Sequence, residues 1–369
     1  MHKGTVKVLH VFGRMQRGGA ELRTLEAIKH LNLDNYTFDF LSLSGLEGEL
    51  DDTCRDLGGN VFHIPIKTKN FKTEFLRLLK KEKYQIVHSH VHYSSGYILK
   101  LAYLASIPKR IAHFRNTFDG NKLTLNRFLK KCILKHWINK YATNIVAVSY
   151  GTIENVLGKK WKNDNRCQVI YNGIPSFDYT NVDKREVLKK IGVNLNNNST
   201  TIYLHVGRMI KQKNHVRVVQ IFKDIYKKNP NSILLLIGRK DEKIEKQILE
   251  EIRDIKDNVY ILGERSDVRD IMKISDVLLF PSLWEGLPGV VLEACSVNLP
   301  VLASDISGVR EIASHFNSVQ YLSLDLDNLK WAETAIKLSK KNDKFYNNFN
   351  NSVFSMDEYV EKMKSLWEV

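Results

Sequence analysis

Short apolar runs alternate with helical stretches along almost the whole chain, and this alternation limits the possible folds most strongly. In the first half, strands are predicted at residues 6–12, 37–43, 61–64, 85–89, 110–114, 144–149 and 168–170. Helices are predicted between them, at 20–31, 71–81, 123–141 and 152–157. A strand, a helix and another strand in succession are typical of a parallel sheet covered by helices. The first half is therefore predicted to be a doubly wound α/β domain.

A second series of the same kind follows residues 172–181, which carry Gly173 and Pro175 and are predicted to be a linker. Its strands are predicted at 200–206, 232–237, 258–262, 277–280 and 300–303, and its helices at 214–228, 241–255, 267–273 and 289–296. Residues 342–352 are rich in asparagine and predict a loop. The apolar spacing of 356–367 predicts an amphipathic closing helix.

Two domains are also what a chain of 369 residues leads us to expect. We place the first at residues 1–175, completed by the closing helix at 356–369, and the second at 176–355. Ligands of such sheets bind beyond the carboxyl ends of the strands. The loops at those ends are therefore where functional residues are expected.

The net charge of +15 lies mostly in the first half. Residues 1–180 hold 28 Lys and Arg against 15 Asp and Glu, whereas residues 181–369 hold 28 against 26. The excess gathers in 67–83 and 109–140, and it indicates either an affinity for anionic lipid or phosphorylated substrate, or a plain solvated face. Nucleic acid is the least favoured partner and none is expected, because zinc-finger spacing, ribonucleoprotein aromatic motifs and a basic zipper are all absent.

Two further patterns bear on location. The chain has no run of 18 apolar residues, and Lys7 interrupts its opening apolar stretch, so neither a membrane-spanning helix nor a signal peptide is predicted. The four cysteines have no paired spacing, which argues against a zinc site or disulfides: Cys54, Cys132, Cys167 and Cys295. A cytoplasmic protein is the expectation.

The segment FPSLWEGLPGVVLEA, residues 280–294, carries two glutamates around a Gly-Leu-Pro-Gly turn. A buried strand precedes the turn and a helix follows it, with Pro288 suited to the first helical position. Free backbone N–H groups and the helix dipole make such a turn an anion site. Carboxylates beside a phosphate are favourable only if they hold hydroxyls or amines. Glu285 and Glu293 therefore suggest a ligand with both phosphate and hydroxyls, such as a nucleotide sugar, although each is also compatible with an exposed or helix-capping charge.

Two loops that follow the first strand of each series add basic and glycine residues. Gly18 and Gly19 precede a helix and permit close approach of a ligand, but neither a dinucleotide fingerprint nor a P-loop is present. Arg208 and Lys213 follow Gly207, and together they could grip a phosphate or form a solvated basic loop.

Three histidines lie at predicted strand ends of the first half. His88, His90 and His113 could supply an acid or base or contact sugar hydroxyls, although single histidines are more often structural. Arg115 and Asn116 follow His113 directly. Function is favoured for His113, because it ends a strand of a half that should face the ligand.

Taken together, these loops resemble the retaining glycosyltransferases of family 4, in particular the bacterial branch that builds exopolysaccharide and capsule. The resemblance covers nearly the whole chain. Besides the pairs above it includes the segments 18–21, 88–90, 148–149, 171–174, 263–264, 282–288 and 307–311. The spacing of Glu285 and Glu293 matches the E-x7-E motif of that family.

The resemblance implies a GT-B fold, with two Rossmann-like domains facing a cleft, and a role for each matching residue. Arg208 and Lys213 would neutralise the donor diphosphate and stabilise the leaving nucleoside diphosphate, which would remove the need for a metal or other cofactor. Glu293 would hold the ribose, and Glu285 the transferred sugar. The remaining donor contacts would come from backbone near Gly18, Gly19, Gly207, Gly286, Leu287, Pro288 and Gly289. His88, His90, Arg115 and Asn116 would lie on the acceptor side.

The sequence departs from the family at three positions. Pro175 replaces an acidic residue of the linker, and Asn214 replaces a glycine after Lys213. Arg115 stands where many relatives carry a histidine, so either His113 takes that role or the donor is contacted differently.

The predicted function is transfer of a hexose, in the cytoplasm, from a nucleotide donor, expected to be UDP-linked, to a glycan or a polyprenyl-diphosphate-linked glycan. Peripheral contact with an anionic inner-membrane face is an additional expectation. Two alternatives stay open: a nucleotide-sugar 2-epimerase of the same fold, and a non-catalytic nucleotide-sugar-binding subunit of a transferase complex.

Overall fold

A computed structural model describes residues 5–31, 35–117, 124–177, 182–193, 199–340, 345 and 347–368. The chain divides into two compact units. The first unit comprises Met1–Pro175 with Val353–Val369, and the second comprises Ser176–Ser352. The chain thus returns to the first unit at Val353, whereas the sequence analysis placed this boundary after residue 355.

The first unit is built on a seven-stranded parallel sheet in the order β3-β2-β1-β4-β5-β6-β7. The strands are β1 Val6–Phe12, β2 Tyr36–Ser42, β3 Val61–His63, β4 Ile86–Ser89, β5 Lys109–Phe114, β6 Asn144–Ala147 and β7 Cys167–Val169. The helices between them are α1 Gly19–His30, α2 Asp51–Asp56, α3 Phe71–Glu82, α4 Ser95–Leu104, α5 Leu125–Tyr141 and α6 Tyr150–Leu157. The strand order reverses between β1 and β4, and open sheets of this kind bind ligands at such a point.

The second unit holds a six-stranded parallel sheet in the order β10-β9-β8-β11-β12-β13. Its strands are β8 Thr201–Val206, β9 Ser232–Ile237, β10 Val259–Gly263, β11 Val277–Phe280, β12 Val301–Ser304 and β13 Val319–Leu322. Its helices are α7 Lys184–Lys190, α8 His215–Lys228, α9 Glu242–Glu251, α10 Val268–Ile274, α11 Gly289–Ser296, α12 Ser307–Ala313 and α13 Asn328–Ser339. Here the order reverses between β8 and β11.

Helices cover both faces of each sheet, so central strands are buried on both sides and read as continuous apolar runs. Strand β9, with the sequence SILLLI, is buried at all six positions. The first sheet has a separate core on each face. One of these cores includes the last helix, α14 Met356–Trp367, through Tyr359, Met363 and Trp367.

The structure confirms the doubly wound α/β class and adds elements that the sequence analysis missed. These are the strand β13 and the helices α2, α4, α7, α12 and α13. Strand β13 lies at a sheet edge with Gln320 and Tyr321 exposed, so it lacks the apolar run of a central strand. The predicted strand at 144–149 ends at Ala147, because the Ser149 side chain caps α6 by accepting from the N–H of Thr152. Residues 178–181 of the predicted linker and 342–344 and 346 of the predicted asparagine-rich loop lie outside the described residues.

Candidate active site

The loop after β8 is held rigidly where it leaves the sheet. The carbonyl oxygen of Gly207 accepts a hydrogen bond from Nε2 of His215, the first residue of α8, at 3.2 Å. A methyl group at Gly238 would lie 2.0 Å from the same oxygen, so only glycine fits against it. The backbone that carries Arg208 is thereby fixed from two sides.

The loops after β8 and β11 are joined to each other by hydrogen bonds. The N–H of Leu283 donates to the carbonyl of Gln212 at 2.8 Å, and the Gln212 amide donates to the carbonyl of Trp284 at 2.7 Å. The Asn214 amide also donates to the carbonyl of Pro281 at 3.1 Å. The two loops at the point where the strand order reverses therefore form one continuous surface.

Lys213 and Glu285 form an ion pair across this junction. Their Nζ and Oε1 atoms are 2.7 Å apart, and only 18% and 9% of the two side chains are exposed. The ammonium group also lies 4.8 Å from the centre of the Phe280 ring, a favourable cation–π distance. Both are predicted site residues, and the structure brings them together.

The remaining predicted residues of the second unit lie in the same two loops and in α11. The Arg208 side chain is exposed, and no described residue pairs with it. Gly286, Leu287 and Pro288 are buried in the loop, and α11 begins at Gly289 as predicted, with Pro288 at the N-cap position instead of the first helical position. Glu293 is the fifth residue of α11 and is partly exposed. This arrangement offers cations and the first N–H groups of a helix, which together suit an anion.

Close packing also holds the beginning of α11. A methyl group at Gly308 in α12 would lie 2.1 Å from the carbonyl oxygen of Gly286, so the two segments touch. The sequence analysis noted the segment 307–311 only as part of the resemblance.

A buried histidine pair supports the loop after β8, and the sequence analysis did not assign it a role. His205 donates from Nδ1 to the carbonyl of Leu279 at 2.8 Å, and the rings of His205 and His215 meet edge to face at 4.5 Å. Burial lowers the pKa of His215 to about 4 and that of His205 well below its usual value. Both rings are therefore neutral at physiological pH. The available sequence signal was a histidine inside an apolar strand, at 205, followed by another at the start of the next helix.

In the first unit, the predicted histidines do not line a surface. His88 and His113 are 0% and 1% exposed, and they belong to a histidine cluster that also contains His10 and His90. His10 lies directly opposite His88 in the register of β1 and β4. The sequence analysis missed His10, because it sits within the first predicted strand instead of at a strand end.

Two donors outside the cluster determine where its protons lie. The indole N–H of Trp367 donates to Nδ1 of His88 at 3.2 Å. Because an indole can only donate, His88 carries its proton on Nε2 and donates to Nδ1 of His113, 3.0 Å away. The proton of His113 must then be on its buried Nε2, which has no hydrogen-bond partner among the described residues.

The second pair of imidazoles follows the same logic. Nε of Arg115 donates to Nδ1 of His90 at 3.4 Å, so His90 donates from Nε2 to Nδ1 of His10, 3.0 Å away. Burial lowers the pKa of His10 to about 3, and the nearby Arg115 guanidinium adds to that shift. For His113, too, burial and then Arg115 hold the pKa well below its usual value.

These contacts correct the predicted roles of His88 and His113. A neutral, enclosed imidazole with a low pKa is a poor acid or base near neutral pH, and it does not reach a sugar hydroxyl. His90 is likewise buried between His10 and Arg115. Of the two candidates for the family's histidine role, only Arg115 lies at the end of β5 with part of its side chain exposed.

Arg115 is itself tied to neighbouring elements of the first unit. Its guanidinium donates to Asn172 at 2.7 Å and to the hydroxyl of Thr24 at 3.2 Å. Asn116 is exposed. Gly18 caps α1 and Gly19 is its first residue, both at the carboxyl end of β1. The predicted ligand contacts of these four residues stay predictions.

The cluster does not suit a metal ion, although nitrogen atoms of His10, His88 and His90 lie within 4.8 Å of one another. Most of these nitrogens already exchange hydrogen bonds, and a guanidinium beside them repels a cation.

No helix among the described residues is long and apolar enough to cross a membrane.

Comparison with known proteins identifies the family. Residues 17–176 match the family described as Glycosyltransferase Family 4, and residues 187–354 match Glycosyl transferases group 1. The capsular polysaccharide biosynthesis glycosyltransferase CapH of Staphylococcus aureus is 33% identical over 98% of both chains. The chain belongs to glycosyltransferase family 4. This family 4 enzyme is also 26% identical to an Escherichia coli protein, the UDP-Gal:alpha-D-GlcNAc-diphosphoundecaprenol alpha-1,3-galactosyltransferase, over 98% of this chain and 96% of the relative.

Solved structures agree on the fold. The glycosyltransferase aligns with Anabaena HepE in complex with UDP with a TM-score of 0.79, 14% identity and 98% coverage of both chains. HepE in complex with UDP-glucose gives a TM-score of 0.74 at 16% identity, over 97% and 98% of the two chains. The two parallel-sheet, Rossmann-like units are thus those of a GT-B glycosyltransferase, as predicted from the sequence.

Proposed function

We propose that the enzyme is a retaining hexosyltransferase that moves a sugar from a UDP-linked donor to a glycan carried on a lipid diphosphate, in the synthesis of a bacterial surface polysaccharide. The observation that carries this proposal is the Lys213–Glu285 pair, which joins the two loops at the reversal point of the second sheet. It puts a cation for phosphate and a carboxylate for hydroxyls side by side, as a nucleotide sugar requires.

The donor assignment rests on the chemistry of these loops. Arg208 is exposed and can meet a diphosphate directly, whereas Lys213, on the same loop, brings a second cation that is oriented by its pairing with Glu285. The partly exposed Glu293 suits the ribose hydroxyls, and Glu285 suits the transferred sugar. HepE has been solved with UDP and with UDP-glucose, which favours uridine over other nucleosides.

The acceptor assignment is supported by the relatives. CapH is named for capsular polysaccharide biosynthesis, and the Escherichia coli relative is named for a diphosphoundecaprenol-linked acceptor. Both match this enzyme over nearly its whole length.

The chemistry is proposed to need no metal. Arg208 and Lys213 supply the positive charge that a divalent ion would otherwise place on the departing diphosphate. Activity should survive a chelator. Complete loss with EDTA, restored by magnesium or manganese, would refute this part of the proposal.

The enzyme is further proposed to act in the cytoplasm at an anionic membrane surface. Helix α5 exposes Leu125, Phe128, Leu129 and Ile133 to between 48% and 74%, and lysines surround them. Apolar side chains flanked by cations favour an interface with anionic lipid. Binding to anionic vesicles should weaken steeply with salt, and equal binding to neutral vesicles would contradict the proposal.

One assay separates this function from its two rivals. Purified enzyme is incubated with a panel of UDP-sugars, with and without a lipid-linked acceptor, and both free UDP and sugar products are measured. We expect UDP release that depends on the acceptor, with the anomeric configuration retained. Formation of an epimer without acceptor would identify an epimerase, and donor binding without either product would identify a binding subunit.

A further inference from the structure

Two cavities lie side by side along α5 in the first unit, and they differ in character. The larger, of about 930 Å³, is lined chiefly by Ile66, Tyr97, Leu129, Ile133 and Trp137. The smaller, of about 490 Å³, is lined by His92, Tyr93, Arg127 and Lys131, among others. Ser94, Lys130 and Leu134 border both. The result is one groove with an apolar compartment and a basic compartment.

The sequence of α5 explains this division. Leu129, Ile133 and Trp137 are spaced by four residues, so they form one stripe along the helix. Arg127, Lys130 and Lys131 lie beside that stripe near the beginning of the helix. A single helix therefore supplies the apolar wall and the cationic wall of the groove.

The floor of the groove consists of fixed aromatic side chains. The rings of Tyr97 and Trp137 lie 6.0 Å apart, and Nζ of Lys100 is 4.2 Å from the centre of the Trp137 ring. In the basic compartment, Nζ of Lys131 lies 4.8 Å from the centre of the Tyr93 ring. Such packing holds the groove open in a defined shape.

The groove also has a direction relative to the sheet. The basic compartment is lined by the short helical turn His92–Ser94, which begins three residues after the end of β4, at the carboxyl edge of the sheet. The apolar compartment extends away from that edge, towards Trp137 near the other end of α5. A ligand that filled both would place its anionic end at the edge where ligands of such sheets bind.

From this placement we infer that the groove is the binding site of the lipid acceptor, with the diphosphate in the basic compartment and the first isoprenoid units in the apolar compartment. The basic compartment suits a compact anionic head group. The adjoining apolar compartment suits a single hydrocarbon chain attached to that head group. The inference rests on the proposed function, and it names the residues that would recognise the carrier lipid instead of the sugar.

The test uses farnesyl diphosphate, a short isoprenoid diphosphate, added in solution without a bilayer. We expect it to bind, and to bind at least tenfold more tightly than inorganic diphosphate or farnesol, because each of those fills one compartment only. Equal affinity for inorganic diphosphate would overturn the inference, since charge alone would then explain binding.

Matched variants on α5 distinguish the groove from a general lipid surface. Lys130→Ala and Ile133→Ser, which alter groove residues, should each weaken farnesyl diphosphate binding roughly tenfold. Lys140→Ala and Phe128→Ser change exposed residues of the same helix outside both compartments, and they should leave that affinity unchanged. Equal losses in all four variants would show that the groove is not a specific site, and losses only in binding to anionic vesicles would show that α5 meets a bilayer instead.

UDP binding is measured on the same proteins, so that the two proposals fail separately. Groove variants should bind UDP like the unaltered enzyme. Farnesyl diphosphate binding without any UDP-sugar binding would refute the proposed function and leave the groove intact, whereas the reverse result would refute the groove alone.

Discussion

Both units carry polar residues near the carboxyl ends of the strands of similar parallel sheets, but these residues are partly exposed in the second unit and buried in the first. In the second unit, Arg208, Lys213 and Glu285 lie in loops beyond β8 and β11, where Arg208 is exposed and Lys213 pairs with Glu285. In the first unit, His88 and His113 lie within β4 and β5 and are enclosed by the core. The polar residues of the second unit lie two to seven residues beyond their strand ends, whereas His88 and His113 lie inside their strands.

Side chains up to the last residue of a central parallel strand therefore still belong to the buried core. Side chains there are covered by helices on both faces, so a polar group must find its partner inside the protein. The histidines do so with one another and with Trp367 and Arg115. The cations and the carboxylate beyond the strand ends can instead meet a ligand.

The strongest test of the buried side of this comparison is Trp367→Ala. It removes a fully buried ring and the only indole donor to His88, so the first unit should lose about 3–5 kcal/mol of its unfolding free energy. Urea unfolding measures the loss. Trp367→Phe, which keeps most of the volume and removes the N–H, separates packing from proton placement, and Ser365→Ala, at an exposed position of α14, serves as control. An unchanged urea midpoint in Trp367→Ala would refute the claim that Trp367 stabilises the first unit and its buried histidines.

The open side is tested by Arg208→Ala. Since this side chain has no partner in the described structure, its removal should lower kcat/KM by about 10²–10³, or ~2.7–4 kcal/mol, by analogy with lost oxyanion donors. Lys213→Ala should do the same, with added loss of stability because Glu285 stays buried without its partner. The exposed Lys211 on the same loop is the matched control. A loss below about threefold in both Arg208→Ala and Lys213→Ala would refute the phosphate role.

Lowering the pH should destabilise the first unit more than the second, because the first unit buries four histidines and the second two. Burial places their folded pKa values below the unfolded value of about 6.5. The unfolded chain therefore binds more protons below that pH, and stability is lost as pH falls, by up to ~1.4 kcal/mol per pH unit for each histidine.

Hydrogen exchange between pH 6.5 and 5 resolves the two units. Protection of β1, β4 and β5 should fall more steeply than that of β8 and β11, by up to about 3 kcal/mol per pH unit for the two extra histidines. His136→Gln, at an exposed histidine of α5, should leave the slope unchanged. Equal slopes in both units would show that the cluster is not held neutral.

The smallest expected effects separate the two glutamates. Glu293→Gln should weaken UDP binding about tenfold and change turnover little, because the ribose does not react. Glu285→Gln should lower turnover about tenfold and change UDP affinity little, because UDP lacks the transferred sugar. Calorimetry with UDP beside steady-state kinetics measures both. The opposite pattern would reverse the assignments, and no effect of either change would make the turn purely structural.

The sequence predicted the fold class, and it placed Lys213 and Glu285 in loops that the structure joins by an ion pair, for a physical reason. Central parallel strands are apolar on both faces, and the Gly-Leu-Pro-Gly turn between β11 and α11 marks a helix start by its glycines and proline. The strand β13 was missed because an edge strand with Gln320 and Tyr321 exposed has no such signal. The helix α4 was missed because its mostly apolar sequence SGYILKLAYL has only a weak polar face.

The histidine network could not be predicted, because it depends on register and on a distant residue. His10 meets His88 only when β1 and β4 pair in their actual register. Trp367 reaches His88 across 279 positions of sequence. Neither relation is visible in local spacing, so the strand-end rule assigned His113 to a ligand instead of to its neighbours.

Because the chain returns to the first unit at its end, the two units complete their folding in a fixed order during translation. The residues of α14 complete one core of the first sheet, yet they are translated after all of residues 176–352. On the ribosome, the second unit can form its sheet and bury its core first. The histidine cluster of the first unit lacks its indole N–H donor until Trp367 has been synthesised. The domain that is made first is therefore the last to be finished, and an interrupted translation product leaves its apolar face and its buried imidazoles open to water and to chaperones.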